Sequence, residues 1–131
     1  PVDMVGEAIY WAKEAQSAWA ILTPIKRGEI LRELAFLMQT NRKELARILH
    51  LETGKSLKDA LGEVGVAIEQ GFFWAGEGRR FSGRTLTTAV PNRSSFVTLT
   101  PIGVAALIVP ANTSLANITW KIFLCVGFNI V

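Results

Sequence analysis

The chain has 131 residues, of which 50% are hydrophobic and 19% charged, with a formal net charge of +3 and one cysteine. Such a composition excludes a disordered tail and describes one core-forming domain. The positive charge is scattered as Lys26-Arg27, Arg42-Lys43, Arg79-Arg80 and Arg84 without interleaved aromatics, which argues against nucleic acid, and no apolar run approaches the roughly 20 residues that span a bilayer.

Val5, Ala8, Ile9, Ala12, Ala15 and Trp19 recur at helical spacing, so a first helix is expected to about Ala20, with Asp3 as its cap. Thr23-Pro24 supplies a cap and a first-turn proline for a second helix, whose stripe is Ile30, Leu31, Leu34, Leu37 and Met38. Asn41 breaks it. Leu45, Ile48, Leu49 and Leu51 form a third stripe, which Gly54 ends as a C-terminal cap. Ser56 opens a fourth helix carried by Leu57, Ala60, Leu61, Val64, Ala67, Ile68, Phe72 and Ala75.

Glycines and arginines cluster from Gly76 to Gly83, the composition of a turn region. Thr85 to Val90 and Ser95 to Thr100 carry the β-branched, alternating pattern of two antiparallel strands, with Pro91-Asn92 as turn chemistry between them. Gly103 to Val109 is continuously apolar, as expected for a strand covered on both faces inside a parallel sheet. Pro110 lacks a donor and ends the pairing, which leaves Asn112 in a loop before a helix that Thr113 or Ser114 would cap and Leu115 to Lys121 would begin. The expected organisation is therefore helices over 1–76, a hairpin over 77–100, and a strand, loop and helix over 101–131.

Few side chains here can do chemistry. Asn112 is either a turn residue or a carboxamide that stabilises an oxyanion without gaining or losing a proton. Cys125 has no neighbouring histidine, lysine or arginine to stabilise a thiolate and reads as an inert buried thiol. His50 is the only histidine and builds neither a triad nor a metal site alone; no metal site is expected. Glu52 and Lys55 read as a helix-end arrangement around Gly54, and Trp11, Trp19, Trp74 and Trp120 as core or interface anchors. A lone cysteine and the lack of a charged-then-apolar leader lead us to expect a reducing, cytoplasmic setting.

The stretch Pro101 to Lys121 resembles the aldehyde dehydrogenase superfamily, whose members carry P-x-G-V-x-x-x-I-x-P-W-N-F-P-L-x-x-x-x-x-K. Pro101, Gly103, Val104, Ile108, Pro110, Asn112, Leu115 and Lys121 fall in register. Upstream, Glu52-Thr53-Gly54-Lys55 and Gly62-Glu63-Val64 are similar to the family's E-T-G-K and G-E-V, and Ala18-Trp19, Arg27 and Leu31 also sit in order. Ala111, Thr113 and Ser114 depart from the pattern's tryptophan, phenylalanine and proline; Trp120 stands where arginine is frequent, and Ile122 to Val131 fits only with about two residues missing.

The resemblance implies an α/β fold, in which N-terminal helices and a β-hairpin lead into a truncated Rossmann-like dinucleotide-binding domain. It implies an enzyme that oxidises a small aldehyde to a carboxylic acid with NAD or NADP through a cysteine thiohemiacetal, some relatives releasing an acyl-coenzyme A instead. Asn112 would hold the oxyanion, and Ile108, Val109, Pro110, Ala111 and Asn112 would line the cofactor site. A homo-oligomer, dimer or tetramer, is implied as partner. The family's nucleophilic cysteine and general-base glutamate motifs do not occur in these 131 residues, so the chain is expected to be a piece of a longer protein. The alternative is a non-catalytic helical module for interaction or oligomerisation.

Overall fold

Four helices form where the apolar periodicity places them. The computed structural model describes residues 3–128, beginning with α1 (Asp3–Ala20). In α2 (Pro24–Thr40), Pro24 occupies a first-turn position whose missing N–H would have had no partner, and the Thr23 hydroxyl accepts from the Lys26 N–H at 3.2 Å. Asn41 ends α2 and precedes α3 (Arg42–Thr53), which Gly54 closes at φ 72°, the left-handed conformation glycine adopts without strain. Ser56 caps α4 (Leu57–Glu77) by accepting from the Asp59 N–H at 3.1 Å. The cap expected from Asp3, and the Asn129-containing end of the apolar run, lie outside the residues whose side chains are described.

The helix α4 is the centre of the fold, packing against α2, α3 and α5 (Ser114–Gly127). Small residues make this close approach possible. A Cβ on Gly28 of α2 would stand 2.5 Å from the carbonyl oxygen of Ala75, and one on Gly71 would stand 2.8 Å from the Ala35 methyl and 3.3 Å from the Phe123 ring. One core cluster joins Ala46 and Leu49 to Ala60, Val64 and Ile68; a second joins Leu31 and Ala75 to Phe123. Met38 packs against both.

Two expectations are corrected, and one apolar stripe is left uncovered. The stripe of α1 does not form a core: Val5, Ala8, Ile9 and Ala15 are exposed, since no described element packs along that helix. Its C-terminal end is tied down, where the Trp19 indole N–H donates to the Val126 carbonyl at 3.1 Å. The hairpin is shorter than expected, pairing β1 (Arg84–Leu86) with β2 (Ser95–Val97) in the register Thr85 to Phe96. The Thr88 hydroxyl donates to the Val90 carbonyl at 2.8 Å, and Asn92 adopts φ 59°, so the chain turns before the ladder can extend.

Residues 103–109 form no strand, although they precede a turn and a helix as expected. A strand exists through its inter-strand hydrogen bonds, and the sole sheet among the described residues is the β1–β2 pair. The segment runs along the surface with Ile102 80% and Ile108 87% exposed. The apolar run that follows is helical to Gly127, and its Phe123 is fully buried.

Candidate functional site

The helix α5 is held at both ends by side chains from other helices, and that grip places Asn112. By local rules Thr113 or Ser114 is its expected cap. In the structure Thr113 is the N-cap residue, but its hydroxyl accepts from the Asn117 amide at 2.8 Å and caps no backbone N–H. The cap is instead Glu63 of α4, whose Oε1 accepts from the N–H groups of Leu115 at 2.8 Å and Ala116 at 3.2 Å. A carboxylate there meets the orphan donors and the positive end of the helix dipole.

The other oxygen of Glu63, Oε2, is ion-paired with the Lys55 ammonium, and Lys55 also donates to the main-chain carbonyl of Asn112 at 2.9 Å. The pair is largely out of water, with side-chain exposures of 16% for Lys55 and 5% for Glu63. Burial pushes the Glu63 carboxyl up, but the Lys55 ammonium and the Ala116 and Leu115 N–H groups outweigh it and hold the group below its ordinary value. Gly54 turns the chain so that Lys55 can reach this position, and His50 Nδ1 lies 2.5 Å from the Lys55 carbonyl. Lys55 thus has the helix-end role expected of it, and a second one beside Asn112.

Glu63 is the site residue that sequence reasoning missed, although it lies inside the Gly62-Glu63-Val64 motif. Its signal is position: it shares the buried face of α4 with Ala60, Val64 and Ala67, and a carboxylate on such a face requires partners.

Asn112 itself sits exposed at the turn, and its carboxamide makes no hydrogen bond among the described residues. It lines an open cleft of about 690 Å³ together with Lys55, Lys58, Gly62, Glu63, Val66, Thr113, Ala116 and Trp120. The four residues before it divide by direction. Ile108, Pro110 and Ala111 are exposed, while Val109 lines a second groove of about 350 Å³ between α3 and α5 with Leu45, Ile48, Leu49, Leu115 and Ile118. The Ile108 carbonyl accepts from the Lys121 ammonium at 2.8 Å. Cys125 is on α5, half-buried, and burial raises its thiol pKa, the opposite of what a nucleophile requires. Among the described residues no three histidine, cysteine, aspartate or glutamate side chains gather where a metal could bind, and no helix is long and apolar enough to cross a membrane.

The C-terminal end of α5 meets a cation. Arg27, 3% exposed, donates from Nε to the Gly127 carbonyl at 3.1 Å and from Nη1 to the Leu22 carbonyl. Burial lowers its pKa from the ordinary arginine value.

Comparison with known proteins places this architecture. The chain is 39% identical over 120 residues to an aspartate-semialdehyde dehydrogenase (non-phosphorylating) of Halomonas elongata, covering 92% of this chain and 24% of that one. It is 38% identical over 120 residues to a 2,5-dioxopentanoate dehydrogenase of Saccharolobus solfataricus, covering 92% and 25%. An aldehyde dehydrogenase structure from Brucella melitensis superposes with a TM-score of 0.92 at 33% identity, over 98% of this chain and 27% of that one. The succinate-semialdehyde dehydrogenase structure from Burkholderia pseudomallei gives 0.88 at 36% identity, over 95% and 26%. The chain thus spans about a quarter of the length of the relatives it matches. With a family model for the aldehyde dehydrogenase family matching residues 2–129, the chain belongs to the aldehyde dehydrogenase family, in its N-terminal portion.

Proposed function

We propose that this chain is the part of an NAD(P)-dependent aldehyde dehydrogenase that carries the oxyanion donor for oxidation of a small aldehyde to a carboxylic acid. The observation that carries the reading is the Asn112 carboxamide, without a hydrogen-bond partner among the described residues, lining a cleft and set on a backbone tied to buried charge. When a cysteine thiolate from elsewhere in the enzyme adds to the aldehyde carbon, the carbonyl oxygen takes up the electron pair and becomes the oxyanion of a thiohemiacetal. The Asn112 amide N–H groups donate to that oxygen, which stabilises the developing charge more than the neutral carbonyl and so lowers the barrier.

The residues fit one wall of a nicotinamide dinucleotide site. Ile108, Pro110 and Ala111 present exposed apolar surface beside the polar Asn112, and the inward Val109 fixes the segment to the α3–α5 groove. NAD or NADP, when bound, supplies the hydride acceptor. Names of relatives support this cofactor class, since succinate-semialdehyde dehydrogenases of Saccharomyces cerevisiae and Escherichia coli are both designated NADP(+) enzymes. The exposed Tyr10 and Trp11 on α1 support self-association as a dimer or tetramer, and the single unpaired cysteine supports a reducing, cytoplasmic setting.

The test is Asn112→Ala in the full enzyme, assayed for aldehyde oxidation. Loss of an oxyanion donor lowers kcat by about a hundredfold or more. An unchanged kcat removes the reading.

A further inference from the structure

We infer that Lys55 and Glu63 are positioning residues for Asn112: the ion pair between them sets where the Asn112 carboxamide stands, without touching the substrate. The inference rests on the oxyanion reading of Asn112 and goes beyond it. Three observations carry it.

The first is that the Asn112 side chain has no partner of its own among the described residues, so its direction is decided by the backbone from which it hangs. The second is that Lys55 supplies the one hydrogen bond reaching residues 110–113 from outside α5, among the described residues, and it lands on the Asn112 carbonyl at 2.9 Å. The third is that Glu63 acts on both sides of this point. Its Oε2 holds the Lys55 ammonium, and its Oε1 holds the first N–H groups of α5, three and four residues past Asn112. One buried carboxylate therefore fixes the loop and the helix start relative to each other.

A salt bridge of this kind does more for geometry than for net stability, because desolvating the two charges offsets much of their attraction. The consequence is kinetic. An oxyanion donor works only when its N–H groups point at the place where charge develops, and displacement by a fraction of an ångström to an ångström costs rate without costing binding.

The test is a double-mutant cycle in the full enzyme, reading kcat and the KM for aldehyde and for NAD(P), with thermal unfolding as a control. Lys55→Met is expected to lower kcat about tenfold while both KM values stay near those of the parent. In an Asn112→Ala background the same change is expected to have no further effect on kcat, because there is no carboxamide left to misplace. Should Lys55→Met fail to fold, Glu63→Gln closes the same cycle, since it keeps an acceptor for Leu115 and Ala116 and removes the charge that holds Lys55.

Equal losses from Lys55→Met in the parent and in the Asn112→Ala background overturn the inference and leave the role of Asn112 intact. An unchanged kcat in Lys55→Met does the same. An unchanged kcat in Asn112→Ala alone removes the oxyanion reading and the positioning role with it, and the two failures are told apart by that single variant.

Discussion

Glu63 and Arg27 grip opposite ends of α5: the carboxylate binds its first N–H groups at Leu115 and Ala116, and the guanidinium binds its last turn at the Gly127 carbonyl. Each charge opposes the helix dipole in the favourable sense, negative at the N-terminus and positive at the C-terminus. The two come from different helices, α4 and α2, so α5 is held to the helical scaffold by its ends as well as by Phe123.

Glu63→Ala should therefore be among the most damaging single changes. It leaves the largely covered Lys55 ammonium without its counter-charge and two helix N–H groups without an acceptor. The expected loss is about 3 kcal/mol or more, since removing one partner of a buried pair strands the other. Chemical denaturation of the variant against the parent checks it, and a loss within the range of an ordinary surface change contradicts the assignment of Glu63 as the cap.

The same carboxylate gives a pH dependence with a defined sign. Unfolded, Glu63 titrates near 4.5, and folding lowers that value because Lys55 and the two N–H groups favour the charged form over the opposing effect of burial. Its stabilisation is fully present above about pH 4.5 and is lost as pH falls through the lower, folded value. Glu44, paired with Arg47 on the surface of α3, shifts in the same direction, so the measurement is the difference in unfolding free energy between the parent and Glu63→Gln across the acid range. That difference should shrink toward low pH. Parallel curves would contradict it.

Arg27→Met should loosen the other end of α5. Methionine fills much of the same space but donates to neither the Leu22 nor the Gly127 carbonyl. The two carbonyls are part-buried, so water can replace some of what is lost, and the expected cost is about 1–3 kcal/mol in total. Amide hydrogen exchange over the last turn of α5 should rise more than exchange in α3, which Arg27 does not touch. Uniform change across both helices would argue that the variant acts through the core alone.

Gly28→Ala tests the α2–α4 contact. The added methyl would stand 2.5 Å from the Ala75 carbonyl oxygen, which is backbone and cannot rotate away. Overpacking of this kind costs about 1–3 kcal/mol. Gly62→Ala, on α4 with open space around the new methyl, is the control and should be neutral or slightly stabilising through helix propensity. A thermal scan showing both variants alike would contradict the close approach.

What the sequence determined by itself was local. Thr23-Pro24, Gly54 and Ser56 mark helix ends through bonds to residues a few positions away, and stripes such as Ile30, Leu31, Leu34 and Met38 mark faces by spacing alone. The resemblance around Pro101 to Lys121 singled out Asn112 for the same reason, as an ordered run of residue types. What only the tertiary structure decided was where distant groups meet. Whether α1's stripe is covered, whether residues 103–109 pair with a neighbour, and which side chain caps α5 depend on elements far away in the chain. Thr113 and Ser114 are adequate caps by local rules, yet Glu63, 52 residues before Leu115, takes the role. A buried carboxylate on α4 needs donors, the start of α5 and Lys55 supply them, and that exchange becomes possible only once packing brings the helices together.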